Sequence, residues 1–491
     1  MKLNRKEFRD KVYACWLGKN IGGTMGGPYE GRREMLDIQG FSTPDGVVLP
    51  NDDLDLQLVW LEAVKRCGVR GVNAGVLGEF WLSYIHPYWC EYGRGKNNMK
   101  MGLLPPLSGD AFNPWKNSNG AWIRSEIWAC LAPGAPTVAS KYAYEDASVD
   151  HGQGEGTNAA IFTATLESAA FVEKDIRKLI DMALSMIPED SRVAETVRLV
   201  LSCREKGMDY KEARNAILDF NKNYGTGWFE APSNIAYAMI GLLWGEGDFK
   251  KSMIYAINCG DDTDCTGGLV GSVLGIIGGT AAIPADWKSH IGDAITTIAI
   301  AGGTLYGFPK TCTVLTDEVV KYAPSMLLEN GSAVIIWDGE TAVSEEELLH
   351  LTDVDIHDAV YFPRIPNSFR VDFHYASAVV IHQAEPSIMP GETRKVKIRF
   401  INNIPVYGND QHFLKLRFLP PEGFTVRGPK TVSVSRWGAF DVDFYHDQPF
   451  AEIELEITAG ETVEPSNRVV IEVLGEGRST AGYLPIVFLG Q

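Results

Sequence analysis

A chain of 491 residues exceeds what one ordinary hydrophobic core organises, so two or more domains are expected. Its 45% hydrophobic and 22% charged residues are typical of a soluble globular protein. Lys and Arg number 45 against 63 Asp and Glu, a net charge of −18, which argues against a general nucleic-acid or anionic-membrane binder but leaves room for an anionic small ligand in a local pocket.

Residues 1–10 carry charges but no apolar stretch, so no secretory signal is expected. The eight cysteines (Cys15, Cys67, Cys90, Cys130, Cys203, Cys259, Cys265, Cys312) lack CxxC spacing and read as reduced thiols of a cytoplasmic protein. Residues 5–25 have helical spacing at Phe8, Val12, Cys15 and Leu17, then a glycine-rich exit through Gly18, Gly22, Gly23, Gly26 and Gly27. Pro28-Tyr29-Glu30-Gly31 ends this segment, and Glu30 alone reads as a surface acid.

Asn51-Asp52-Asp53 stands before Leu54, Leu58 and Leu61, which marks a helix N-terminus. Capping and the helix dipole are a sufficient reason for acids there. Residues 80–92 are dense in aromatics, which suits a core with a packed loop or a stacking wall for a base or sugar. Asn119 and Gly120 lie in a polar turn before an apolar helix, and His151 precedes the glycines Gly152, Gly154 and Gly156. No strand precedes these glycines and no lysine follows, so a phosphate loop is a weak reading, and a lone histidine is more often structural than catalytic.

Residues 258–268 place Asp261, Asp262 and Asp264 between glycines, and an apolar run follows at 269–283. That run is about 15 residues, short of the roughly 20 a membrane helix needs. Carboxylates this close repel one another, and a hard divalent cation is the usual solution. A solvated acidic turn with an N-cap Asp is the alternative. If the acids at 52–53 and 261–264 converge, their number suits two cations about 3.5–4 Å apart. Gly267, Gly271, Gly275 and Gly279 recur every four positions and predict a helix stripe made for close packing.

Helical patterns dominate to about residue 325, with almost no strand signal before 310. Around 330–365, Val334 to Trp337 looks like a strand and 344–351 like a capped helical turn. From 366 the period becomes two, as in Val396/Ile398/Phe400, Ile453/Leu455/Ile457 and Val469/Ile471/Val473. The expected architecture is a large all-α domain over 1–325, a connecting segment over 326–365, and an all-β immunoglobulin-like sandwich over 366–491.

Four segments resemble the ADP-ribosylglycohydrolase family, which includes dinitrogenase reductase-activating glycohydrolase. They are Trp16-Leu17-Gly18-Lys19-Asn20-Ile21-Gly22-Gly23 running to Glu30-Gly31, Asn51-Asp52-Asp53 with its helix, residues 119–124 with Asp150-His151, and Gly260-Asp261-Asp262-Thr263-Asp264 with its glycine-rich helix. The resemblance implies an all-α fold that holds two divalent ions, Mg²⁺ in the first instance with Mn²⁺ as the alternative. It implies cleavage at C1″ of ADP-ribose from a side chain or small acceptor. By position, Asp52, Asp53, Asp262 and Asp264 match metal ligands. Asn51 stands where threonine is usual, and its amide oxygen could still ligate. Cys265 stands where a ligating threonine is common, and a neutral thiol suits Mg²⁺ poorly, so either Thr266 shifts in, a water substitutes, or one metal site is weakened. Glu30 matches an acid near the metals and is the expected general acid/base, with Asp53 also catalytic, while Asn119, Gly120 and His151 fall near substrate-lining segments. Two other readings stand beside this one: a hydrolase of the same fold acting on another furanoside or carbohydrate, and a non-catalytic ligand-binding protein. The expected partner is a small-molecule or ADP-ribosylated substrate, with no nucleic acid and no membrane.

Overall fold

The computed structural model describes residues 1–300, 307–354, 364–373, 375–402, 412–434 and 450–491. Its helices are α1 (Arg5–Gly26), α2 (Asp52–Cys67), α3 (Ala74–Tyr84), α4 (Cys90–Lys100), α5 (Leu107–Asp110), α6 (Glu126–Leu131), α7 (Pro136–His151), α8 (Glu155–Ala169), α9 (Ile176–Ser185), α10 (Arg192–Glu205), α11 (Tyr210–Asn221), α12 (Ala231–Gly245), α13 (Phe249–Asn258), α14 (Thr263–Gly278), α15 (Ala285–Ile291), α16 (Cys312–Glu329) and α17 (Glu345–Leu349). The strands are β1 (Lys2–Asn4), β2 (Ile335–Trp337), β3 (Ser368–Asp372), β4 (Ala376–His382), β5 (Ser387–Ile388), β6 (Thr393–Asn402), β7 (His412–Leu419), β8 (Thr425–Arg427), β9 (Thr431–Val434), β10 (Ala451–Thr458), β11 (Ser466–Gly475) and β12 (Ala481–Gly490).

The chain forms two compact units. One comprises 1–93, 114–147 and 154–353; the other comprises 94–113, 148–153 and 354–491. Residues 355–363 of the expected connecting segment lie outside the described residues. The short segments 94–113 and 148–153 carry helical patterns yet cluster with the C-terminal unit, a grouping that local periodicity does not show.

The first unit is helical apart from β1, which pairs in parallel with β2 through Lys2–Ile335, Leu3–Ile336 and Asn4–Trp337. Three residues are too few for a period-two pattern, so β1 is silent in the sequence. Asn4 then caps α1, its side-chain oxygen accepting from the amides of Lys6 and Glu7. The centre of the unit is the crossing of α1 with α14. A methyl group on Gly18 would lie 2.1 Å from the Gly271 carbonyl oxygen, and one on Gly22 would lie 2.1 Å from the Gly267 carbonyl carbon. Gly26 meets Thr263 in the same way at 2.3 Å, and Gly275 meets Ala14 at 2.3 Å. The two backbones therefore touch, which only glycine at the crossing allows. The expected stripe ends one turn early: Gly279 (φ +64°) terminates α14 instead of continuing it.

In the second unit, five-stranded sheets run in the orders β3-β4-β6-β10-β8 and β5-β12-β11-β7-β9. Val396, Ile398, Phe400, Leu455 and Ile457 of one sheet share a core with Leu414, Val469, Ile471 and Leu484 of the other, joined by Leu103 and Leu107. The alternate residues of β6 face outward, and Lys395 and Lys397 pair across to Glu454 (2.6 Å) and Glu452 (3.1 Å) on β10. No single helix among the described residues is long and apolar enough to cross a membrane.

Replacing Gly22 by Ala forces α1 away from α14. A loss of about 3 kcal/mol in unfolding free energy is expected, read as a lower urea midpoint at unchanged slope. A second prediction concerns His382, which is buried against Phe369 and Phe488. Burial, and then Arg394, push its pKa down from 6.5 to about 4. The folded value lies below the unfolded one, so this contribution is intact above about pH 6.5 and is lost as pH falls toward 4, by about 3 kcal/mol. His382→Leu should flatten that part of the stability profile in denaturant titrations of the full chain between pH 7 and pH 4.

Candidate metal centre

The two acidic turns meet. Asn51 caps α2, its Oδ1 accepting from the Asp53 amide at 2.8 Å, which places Asp52 and Asp53 in the first turn. Asp262 is the N-cap residue of α14 and Asp264 lies in its first turn. Ligand atoms of Asp53, Asp264 and Cys265 lie within 4.8 Å of one another, and so do those of Glu30, Asp262 and Asp264. The two groups share Asp264. Asp53, Asp262, Asp264 and Cys265 are buried, whereas Glu30 is exposed.

Glu30 reaches the cluster through a backbone strap. The Gly31 amide donates to the Asp261 carbonyl at 2.8 Å, and the Asp261 amide donates to the Arg32 carbonyl at 2.6 Å. Gly260 (φ +78°) and Asp261 (φ +66°) make the turn that receives the strap. A methyl group on Gly260 would sit 2.6 Å from the Arg32 carbonyl oxygen, so the strap also requires glycine there.

The electrostatics are those of crowded, buried carboxylates. Burial, then repulsion from Asp53, pushes the Asp52 carboxyl up to about 6. Burial raises Asp53 to about 7 against the pull of Lys19, and burial with Glu30 raises Asp264 to about 7. Asp262 is driven well above its ordinary value by burial and by Asp264. Desolvation by the surrounding chain, then Asp52 and Asp53, push Glu30 up to about 7. Asp262 Oδ1 and Asp264 Oδ1 are buried and accept no hydrogen bond. Buried oxygen donors that repel one another and lack hydrogen-bond donors fit a hard divalent cation, which would reverse the sign of every one of these interactions. Cys265 is the one soft donor; its thiol lies 3.4 Å from Asp53 Oδ1.

The remaining expected residues fall in several places. Asp52 Oδ2 accepts from the Tyr92 hydroxyl at 2.9 Å, which gives one aromatic of the 80–92 cluster a direct tie to the acids. Phe80 and Trp81 are core residues, while Tyr88 and Trp89 are exposed. Asn119 touches the cluster itself: its Nδ2 donates to Asp262 Oδ2 at 2.6 Å, and its Oδ1 accepts from the Trp122 indole at 2.9 Å. The Gly120 carbonyl accepts from the buried Arg124 at 2.5 Å. Thr266 is fully buried and its hydroxyl faces the Thr263 carbonyl at 3.2 Å. His151 belongs to the C-terminal unit, where it is buried with Nδ1 3.0 Å from Asp150 Oδ1.

The sequence reading missed several supports. Asn234 Oδ1 accepts from the Asp262 amide at 3.2 Å, and its Nδ2 donates to the Glu230 carbonyl at 3.1 Å and lies 3.3 Å from Asp261 Oδ2. Lys19 on α1 is buried 3.4 Å from Asp53 Oδ2 and 2.6 Å from Glu126 Oε1. Burial opposes the Lys19 charge, but Glu126 and Asp53 outweigh it and hold its pKa above the ordinary value. The available signal was a pair of polar residues, Lys19-Asn20 and Ser233-Asn234, inside an otherwise apolar or glycine-rich stretch of helix.

A family model for ADP-ribosylglycohydrolase matches residues 4–312. The chain belongs to the ADP-ribosylglycohydrolase family. That span contains both acidic turns, the α1–α14 crossing and the Glu30 strap, and the family is typically dependent on divalent metal. Among solved structures, an ADP-ribosylglycohydrolase-related protein complex aligns at 22% identity and a TM-score of 0.42, over 65% of this chain and 98% of that one. A FixG-related protein from Vibrio parahaemolyticus aligns at 10% identity and a TM-score of 0.19, over 25% of this chain and 99% of that one. At these scores neither likeness bears on function. No curated protein matches the sequence.

Within this ADP-ribosylglycohydrolase-type domain, Asn119→Ala removes a side-chain amide that donates to Asp262 Oδ2. Mn²⁺ affinity measured calorimetrically should fall roughly ten- to hundredfold, as when a group orienting a ligand is lost.

Proposed function

We propose that the chain hydrolyses the glycosidic bond at C1″ of an ADP-ribosyl group, releasing it from a protein side chain or a small acceptor. Divalent cations assist at the two acidic groups, Mg²⁺ foremost with Mn²⁺ as its substitute. The observation that carries this reading is the convergence of Glu30, Asp53, Asp262 and Asp264 from separate elements inside a domain of this family. The substrate is a small molecule or an ADP-ribosylated protein; nucleic acid and membrane are outside the proposal.

Breaking this bond builds positive charge at C1″ and leaves a group that needs a proton. Bound divalent cations supply charge that can hold vicinal hydroxyls and acidify water. Asp53, Asp262 and Asp264 are the residues that would hold them, with Asn119 and Asn234 fixing the orientation of Asp262. Glu30 is the exposed acid, so it faces incoming water and substrate. A partly desolvated carboxyl beside the cation site is placed to exchange a proton with water and with the leaving group. In the proposed reaction Glu30 takes a proton as water forms the new C1″–O bond and passes it to the leaving group as the old bond breaks. The net change is one water consumed and no covalent enzyme intermediate.

The exposed rings of Tyr88 and Trp89 favour a second reading, hydrolysis of another furanoside or carbohydrate by the same acids. A product assay separates the two: free ADP-ribose supports the first, and reducing sugar from a glycan panel without ADP-ribose supports the second. Asp262→Asn should lose Mn²⁺ binding and turnover together. Glu30→Gln should keep Mn²⁺ binding while kcat falls at least about a hundredfold. Full cation-dependent turnover in Asp262→Asn would sink the assignment, and loss of Mn²⁺ from Glu30→Gln would make Glu30 a ligand instead.

A further inference from the structure

The two acidic groups are not equivalent, and the difference lies in Lys19. Its side chain is 1% exposed. An ammonium has three hydrogens to place. The Ile123 carbonyl lies 2.6 Å from Lys19 Nζ, Glu126 Oε1 lies 2.6 Å away, and Asp53 Oδ2 lies 3.4 Å away. The other Glu126 oxygen accepts from Gln57 Nε2 at 2.8 Å, and Gln57 Oε1 accepts from the Ile127 amide at 2.7 Å. The same Gln57 Nε2 lies 2.8 Å from the Asp53 carbonyl, and the Ser272 hydroxyl is 3.4 Å from Glu126 Oε1. Side chains from α2, α6 and α14 thus fix the ammonium, and α14 covers it closely, since a methyl on Gly268 would meet Lys19 Cδ at 3.2 Å and Asp53 Oδ2 at 3.6 Å.

Asp53 Oδ2 accepts no hydrogen bond but lies at ion-pair distance from the Lys19 ammonium, and Asp53 Oδ1 accepts from the Cys265 thiol. In the other group, Asp262 Oδ1 and Asp264 Oδ1 likewise accept no hydrogen bond, and no lysine or arginine among the described residues lies at ion-pair distance from either acid. We propose that Lys19 is a built-in cation that stands beside Asp53 and makes the cluster unequal: the site at Asp262 and Asp264 binds a divalent ion tightly, and the site at Asp53, Asp264 and Cys265 binds one at least tenfold more weakly. Lys19 is on this view a positioning residue that orients Asp53 without a metal. The inference rests on the reading of the acids as a cation site.

Mn²⁺ titration of the full chain by calorimetry, with electron paramagnetic resonance at one and two equivalents, tests it. The wild type should show one tight site and the signal of isolated Mn²⁺ at one equivalent. Lys19→Met alone leaves Glu126 buried without its cation, so the paired variant Lys19→Met with Glu126→Gln is made beside it, with folding checked by thermal melting. The paired variant should tighten the weaker site at least tenfold, and Lys19→Arg should leave the wild-type pattern. Two sites of equal affinity in the wild type would falsify the inference whatever the variants do, as would a paired variant that folds with the second affinity unchanged. Absence of any Mn²⁺ binding in the wild type would instead remove the cation reading of the whole cluster.

Discussion

Everything in the helical unit depends on the direct backbone contact between α1 and α14. The helices run in opposite directions, and each four-residue step along α1 is answered by a four-residue step back along α14: Ala14 to Gly275, Gly18 to Gly271, Gly22 to Gly267 and Gly26 to Thr263. The register is therefore fixed by where hydrogens replace side chains. A slip by one residue would bring a branched side chain such as Ile21 or Val270 into a space that holds none. This contact brings the last turn of α1 to the first turn of α14. Lys19, the Glu30 loop, Asp262 and Asp264 are neighbours because of it. The hydroxyl of Thr263 seals the crossing by donating to the Gly26 carbonyl at 2.8 Å.

The same geometry creates an electrostatic problem. Burying several carboxylates together is costly unless positive charge or hydrogen-bond donors accompany them. Three local devices reduce that cost. The N-termini of α2 and α14 point their dipoles at the acids. Neutral polar groups hold individual residues in place: Asn119 and Tyr92 donate to carboxylates, and Asn234 accepts from the Asp262 amide. Lys19 supplies one fixed positive charge. These devices leave Asp262 Oδ1 and Asp264 Oδ1 without donors, and those oxygens are where an external cation gains most. Asp55, one turn along α2, shows the contrasting case. Its Oδ2 accepts from the amides of Ile298 and Ala299 at 2.6 and 2.7 Å, so a buried acid there anchors a loop.

Much of this was legible in the sequence where the signal is local. The Asn51 cap, the glycine stripe and the acids before each helix are patterns a few residues long, and they are enough to place α2 and α14. The capped turn after Ser344 and the period-two strands were readable for the same reason. What stayed hidden depends on partners distant in the chain. Nothing near Lys19 announces Glu126, and Asn119 reads as a turn residue until Asp262 is brought to it across 143 positions. The helices at 94–113 look like any others, and only their apolar contacts through Leu103 and Leu107 reveal that they complete the core of the β unit. Burial by a remote partner leaves no periodic trace.

The third aspartate of the acidic turn shows how backbone constraint and chemistry divide neighbouring residues. Asp261, Asp262 and Asp264 look equivalent as letters, yet Asp261 belongs to neither of the two converging acidic groups. Its carboxylate lies 3.5 Å from the Arg33 guanidinium and 3.3 Å from Asn234. Its backbone, at φ +66°, is in the left-handed region, where Asp is tolerated better than most side chains. The conformation is imposed by the two hydrogen bonds that strap the Glu30 loop to it. Arg33, stacked over Trp228 at 4.4 Å, extends that anchoring to the rim. Asp261 is thus explained by what it does for the position of Glu30. A loop that must hold an exposed acid beside a buried cluster cannot rely on packing for its precision, and here two backbone hydrogen bonds and one ion pair supply it.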